Sequence, residues 1–386
     1  MKIVVVLSRI PFPLEKGDKL RAYHQIKELS VKNEIYLICT TDKNIKPQAK
    51  KELLKYCKEV HFFKLNRLKQ FVNLLKGLFS SQPFQVKYFH QKSIQKNINA
   101  IIKGIKPDHI YCQLIRATEY VKNEHNYPKT LDFMDALSKG MERRIKTSKW
   151  YIKPFVKVET KRLLAYENLV FDYFDNHTII SEQDRDLIYH EERKKIEVIA
   201  NGVDTDFFTP KKVEKTYDLV FVGNLNYPPN IAASEYLANE ILPILKKTKK
   251  DINILISGAT PNTRILALKN EHITIKGWVE DIRSSYLSAH IFIAPMTIGT
   301  GLQNKLLEAM SMEIPCITTD LANNALKAEH GKNIIVANNP DSLAESILDL
   351  LNNHEKAKNI AKNGRDFVKS NYVWESTTNQ LQKIFN

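Results

Sequence analysis

The 386-residue chain carries 58 Lys/Arg against 43 Asp/Glu, a formal net charge of +15, with 43% hydrophobic residues. That length exceeds one ordinary core and predicts two domains, while the apolar content excludes a disordered chain. Four cysteines without a CxxC pair argue against a disulfide framework or zinc site and for buried thiols in a reducing cytosol, and no run reaches the ~20 apolar residues of a membrane-spanning helix.

In chain order, "KIVVVLS" reads as a buried first strand; its apolar run is too short for a signal peptide. "KLRAYHQIKELSV" follows as a helix and "EIYLICTT" as a second strand. The charge is uneven along this part. Residues 1–105 hold 21 Lys/Arg against 7 Asp/Glu, whereas the remaining residues hold 37 against 36. Within that basic quarter, residues 67–92 place Leu68, Phe71, Val72, Leu75, Leu78 and Phe79 at helical spacing among basic side chains. Such a helix either turns its apolar side to the core or lies on an anionic membrane surface. Nucleic acid is not expected as a partner, because no helix-turn-helix, RNA-binding signature or zinc finger accompanies the charge.

"DHIYCQL", "KTLDFMD" and "NHTIIS" read as further strands, with a long, basic, mostly helical segment over 137–174 between the last two. The alternation restarts with "YDLVFVGNL", a helix over 230–247, "INILISGA", a helix over 261–269, "ITIKGWV", a helix over 281–288, "IFIAPM", a helix after Gln303 and "PCITT". Helix 340–352 and a helical stretch from about 355 complete the chain. Strands alternating with helices predict α/β architecture: two Rossmann-like, doubly wound parallel-sheet domains facing across a cleft. The turn at Asn201-Gly202 and the exposed-looking Pro210 place the divide, giving 1–209, 210–365 and a C-terminal helix 366–386 expected to pack back toward the first domain.

Three turns follow predicted strands. In "SRIPFPLEKGDKLR", Gly17 allows close backbone approach just before a helix, whose amides and dipole suit a phosphate or whose glycine serves only the turn. In "VGNLNYPPN", Gly223 follows its strand directly, and neither GxGxxG nor GxxxxGKT stands there, which argues against a nicotinamide enzyme and an ordinary NTPase. In "IGTGLQNKLLEAMSMEIPCITT", a glycine loop opens a helix with Lys305 and Glu308 on one face. A lysine at a helix start suits a diphosphate, and a carboxylate one turn on suits the hydroxyls of a ribose; a solvated Lys–Glu pair is the plain alternative.

"GTGLQNKLLEAMSMEIPCITT" resembles the donor-site signature of the family 4 glycosyltransferases, in the branch whose motif runs G-x-G-x-x-x-K-x-L-E-A-M. "RIPFPLEKGDKLRAYHQIKELS", "VIANGVDTDFF", "FVGNLNYPPNIAASEYL" and "IKGWVEDIRSSYLSAHIFIAPM" are similar to that family's other blocks, in the same order. The resemblance implies the GT-B fold and transfer of a sugar from a nucleotide-sugar to an acceptor hydroxyl, with retention and without a metal or other cofactor. Carried across, Glu308 binds the donor ribose, Lys305 the diphosphate, and the backbone of Gly301, Leu302, Gln303 and Asn304 the phosphates or sugar. The main chain at Trp278 and Val279 meets the base, Gly17 lets the N-terminal loop approach the phosphate, and Gly223 and Asn224 belong to the donor side. Where many members carry a first glutamate this chain has Thr300, and Asn224 replaces the usual arginine, so Lys305 takes a larger share of the phosphate charge, helped by Lys19 or Arg21. Asp135, in "LDFMDALS", is the candidate catalytic group facing the donor sugar beside Lys305 and Glu308, or else a helix N-cap.

The resulting expectation is an enzyme using a UDP-sugar, or alternatively a GDP-sugar, on a glycan or lipid-linked acceptor during cell-surface polysaccharide or glycolipid synthesis. It would be cytoplasmic, with peripheral contact to the anionic inner face of the membrane. The competing expectation is a non-catalytic nucleotide-sugar-binding or assembly subunit of the same fold.

Overall fold

The computed structural model describes residues 1–299 and 301–385. The chain divides into two compact units, residues 1–200 with 377–386 and residues 201–376.

The first unit is built on seven parallel strands: β1 (Lys2–Leu7), β2 (Glu34–Thr41), β3 (Glu59–Lys64), β4 (His109–Gln113), β5 (Lys129–Met134), β6 (Asn176–Ile179) and β7 (Glu197–Val198). Their order is β3-β2-β1-β4-β5-β6-β7. The near-continuous apolar run of β1 is what a strand covered on both faces requires. Ile3, Val5 and Leu7 enter one core with Ala22, Ile26 and Leu29, whereas Val4 and Val6 enter the other with Ile98, Ile102 and Leu163. Leu381 and Phe385 of the last helix join the first of these cores, and Phe385 stacks on His109 at 4.4 Å.

One buried network corrects an expectation. Arg21 is fully buried, donating from Nε to Asp132 at 2.6 Å and from Nη1 to the carbonyl of Ile199 at 2.9 Å. The Tyr111 hydroxyl donates to the same carboxylate at 2.8 Å. Arg21 therefore locks β4, β5 and the first helix together and is not exposed to assist a phosphate. Asp132→Ala leaves the guanidinium buried without its counter-ion and should cost about 3–5 kcal/mol of stability, read by denaturant unfolding.

The segment 67–92 forms the helix Arg67–Leu78 and the short helix Phe84–Phe89. Only Gln70 and Gly77 of the longer helix are buried, so its apolar side does not face the core. The basic helical stretch further on is two helices, Leu137–Thr147 and Lys153–Phe171.

The second unit has six parallel strands: β8 (Tyr217–Val222), β9 (Ile254–Ser257), β10 (Ile273–Lys276), β11 (Ala289–Ala294), β12 (Cys316–Thr318) and β13 (Ile335–Val336), in the order β10-β9-β8-β11-β12-β13. The "NGVD" turn is structural here. A Cβ on Gly202 would lie 2.6 Å from the Trp374 backbone nitrogen, and the Val203 amide donates to the carbonyl of Tyr372 at 2.7 Å. All four cysteines are buried and unpaired.

Candidate functional site

Because every strand of the second sheet runs the same way, the turns after β8, β9, β10 and β11 share one edge. Ligands in open parallel sheets bind at that carboxyl edge. Glycines at three positions make it compact. Gly258 has φ +149°, and a Cβ there would stand 1.7 Å from the carbonyl oxygen of Gly223, so only glycine lets β9 and β8 end side by side. Gly299 and Gly301 have φ of 104° and 84°, turning the chain after β11 into the helix Asn304–Ser311. Among the described residues no side chain caps the start of that helix and its first turn holds no acidic residue, an arrangement that favours an anion there, while the Leu306 amide is bonded to the Gln303 carbonyl at 2.9 Å.

Lys305 lies in the first turn and points back to the end of β8. Its Nζ donates to Asn230 Oδ1, sits 4.5 Å from the centroid of the Phe221 ring, and is near the space a Cβ on Gly223 would take. Asn230 is itself oriented, its Nδ2 donating to the carbonyl of Asn224 at 2.9 Å. Among the described residues no carboxylate forms an ion pair with Lys305. Desolvation pulls its ammonium down to about 7, with Glu308 opposing the shift. Such a cation gains most when an anion arrives.

Glu308, one turn on, accepts a hydrogen bond from the Tyr286 hydroxyl at 2.6 Å. Tyr286 is fully buried against Phe292, ring centroids 5.4 Å apart, so it fixes the carboxylate firmly. Desolvation raises Glu308 to about 7, against the pull of Tyr286 and Lys305. Both Lys305 and Glu308 remain half-buried: each keeps a solvent-facing edge although most of its hydration is gone. Glu308 Oε1 has no partner among the described residues.

Gly223, Asn224, Gly301, Leu302, Gln303 and Asn304 share this edge, while Thr300 lies outside the described residues. Asn224 is tied into its own turn, its Oδ1 accepting from Thr260 Oγ1 at 2.9 Å and from the Asn226 amide at 3.0 Å. Trp278 follows β10 and is 74% exposed, with Val279 half-buried beside it. Gly17 and Asp135 stand on the first unit. Gly17 begins the helix Gly17–Leu29, and a Cβ there would meet open space. Lys19 sits on that helix, 3.8 Å from Glu15.

Asp135 follows β5 through Met134 at φ 64° and is solvent-exposed. It does not cap the next helix: the cap position is Ala136, and buried Glu167 takes the Ser138 amide at 2.9 Å instead. The Asp135 carboxyl is held above the usual range, first by lost hydration and then by Asp184, against Arg116 and Arg143. Its exposure makes position, rather than titration, its main qualification. Among the described residues no group of three His, Cys, Asp or Glu side chains is placed to hold a metal ion.

Sequence reasoning missed Asn230, Tyr286 and Gly258. Asn230 and Tyr286 stand in "NYPPN" and "RSSYLSAH", segments noticed for other residues, but their partners lie 75 and 22 positions away.

Residues 216–353 match the family described as Glycosyl transferases group 1. Over its whole length the chain is similar to solved structures such as Anabaena HepE in complex with UDP-glucose, with a TM-score of 0.69 at 13% identity, covering 99% of this chain and 98% of that one. The fold is GT-B. An uncharacterized 44.6 kDa protein in the cps region of Klebsiella pneumoniae is 26% identical over 394 residues, 96% of each chain. The capsular polysaccharide biosynthesis glycosyltransferase CapM of Staphylococcus aureus is 26% identical over 120 residues, 31% of each chain. Lys305 and Glu308 lie inside the residues matched by the family model.

Proposed function

We propose that the chain is a family 4, retaining, metal-independent glycosyltransferase that moves a sugar from a nucleotide-sugar to an acceptor hydroxyl in cell-surface polysaccharide or glycolipid assembly. The carrying observation is the half-buried cation at an uncapped helix start, Lys305 against Asn230 and Phe221, one turn before a carboxylate held by Tyr286. From β10 to β11 the edge spans three interstrand steps, about 14 Å, which accommodates a nucleoside diphosphate laid across it. The base would sit at Trp278 and Val279, the ribose at Glu308 and the diphosphate at Lys305 with the amides from Gly301 to Asn304. Departure of the nucleoside diphosphate develops negative charge, and preorganised donors around it are the main catalytic device. UDP is the favoured nucleotide, since HepE binds UDP-glucose; CapM's part in capsular polysaccharide biosynthesis supports a glycan or lipid-linked acceptor.

A second reading, a nucleotide-sugar-binding subunit without turnover, is favoured by one observation: Asn224, where the family's arginine is expected, is engaged within its own turn. A thermal-shift panel of UDP-, GDP- and ADP-sugars, followed by assay of hydrolysis, separates the two. The expected result is stabilisation by a UDP-sugar and release of UDP. Stabilisation with no release from any donor establishes the second reading, and no stabilisation by any donor removes both.

A further inference from the structure

The helix Arg67–Leu78 and the start of Lys153–Phe171 leave an unusual amount of apolar surface in water. Leu68 is 77% exposed and Phe79 94%, with Phe71 and Leu75 open beside them. On the second segment Trp150 is 82% exposed, and Tyr151, Phe155 and Val158 are also open. The two segments meet. Arg162, one turn beyond Val158, donates from Nη1 to the carbonyl of Gly77 at 2.7 Å and lies over the Phe84 ring at 4.7 Å. Exposed apolar side chains gathered on neighbouring segments mark an interaction site.

The charge around it selects the partner. Residues 60–107 hold nine Lys/Arg and no Asp or Glu. Residues 143–162 hold eight Lys/Arg and one carboxylate, Glu159, which is buried and accepts from the amides of Phe84 and Gln85 at 2.7 and 3.0 Å. The exposed charge along both segments therefore has a single sign. Aromatic side chains among lysines and arginines, with no acid exposed between them, match the boundary between headgroups and acyl chains. No helix among the described residues is long and apolar enough to cross a membrane, so such contact would be at the surface.

We propose that this face of the first unit docks on an anionic bilayer surface, Phe71, Phe79, Trp150 and Phe155 inserting shallowly while the surrounding lysines and arginines neutralise headgroups. It goes beyond the donor-side reading and does not depend on it. The test is cosedimentation of the full chain with phosphatidylglycerol or phosphatidylcholine vesicles, using wild type, a Phe71→Ser/Phe79→Ser variant, a Trp150→Ser/Phe155→Ser variant and a Lys69→Ala/Lys76→Ala variant. The substituted side chains are exposed, so melting temperature and UDP-sugar stabilisation should stay at wild-type levels. The expected result is binding to the anionic vesicles only, weakened from roughly 0.1 to 0.5 M salt, and reduced about tenfold or more by each apolar variant. The lysine variant should lose part of the binding and part of the salt dependence. Equal binding to both vesicles, no binding, or full binding by all variants overturns the proposal. So does light scattering that finds a dimer of this chain dissolved by the same substitutions, which would make a second copy the occupant.

Discussion

Replacing Lys305 with methionine should raise the melting temperature of the donor-free protein and lower kcat/KM for the nucleotide-sugar by about 10²–10³-fold. The two effects share one cause. In the folded chain the ammonium has Asn230 and the Phe221 face around it but, among the described residues, no ion-paired carboxylate, and desolvation pulls it from 10.5 to about 7. The folded pKa lies below the unfolded one, so between those values the unfolded chain binds more protons and stability rises with pH. Below about 7 both states carry the charge, and the desolvation cost is present in full. Methionine keeps the length, suits the Phe221 ring and removes the cost. Each kcal/mol recovered would raise Tm by about 2–4 °C. In the proposed donor complex a diphosphate would offset the same cost in the wild type, and the variant has no charge to offer it. Calorimetry at several pH values and steady-state kinetics check both halves. A lower Tm with undiminished turnover would show that Lys305 is an ordinary surface lysine.

Strands such as β1 and β8 were legible because buried parallel strands are apolar throughout, and "KIVVVL" and "YDLVFV" satisfy that with few other readings. β3 was not, since "EVHFFK" is only partly buried and carries polar ends. The helix Arg67–Leu78 was legible as a helix, but spacing does not tell which face meets protein; that depends on which other elements arrive, and here none covers Leu68 or Phe71. Trp150 and Phe155 went unremarked within a basic helical stretch, because their exposure depends on the break between Thr147 and Lys153. At the candidate site, Lys305 and Glu308 stand out in the sequence because they are neighbours within one short motif. What defines their chemistry could not be found that way. Asn230 and Tyr286 reach them from other elements, and Gly258 matters only because the Gly223 carbonyl lies where its Cβ would be.

The Tyr286 contact leads to a prediction in two steps. Glu308→Ala should lower kcat/KM by about 10²–10⁴-fold, the worth of two hydrogen bonds from ribose hydroxyls to a charged acceptor. Circular dichroism should remain that of the wild type, because Glu308 is half-buried at an edge and lends little to the core. Tyr286→Phe is the subtler variant. The ring stays packed on Phe292, and only the 2.6 Å bond to Glu308 is lost. That bond favours the ionised carboxylate, so without it burial raises Glu308 further above about 7. In the proposed ribose contact, Glu308 would have to be ionised to accept from both hydroxyls. The acid limb of the kcat/KM profile should therefore move to higher pH, by about one unit for a hydrogen bond to a charge of ~1.5 kcal/mol. Lys305, which loses its charge near the same pH, bounds the profile on the alkaline side, so the variant's maximum should fall and its loss relative to wild type should be greatest at acid pH. Recovery of near-wild-type rates at the upper edge of the window would identify Tyr286 as a positioning residue acting through Glu308. A uniform loss at every pH would mean that the hydroxyl supports packing alone, and near-normal turnover by Glu308→Ala would remove the ribose assignment.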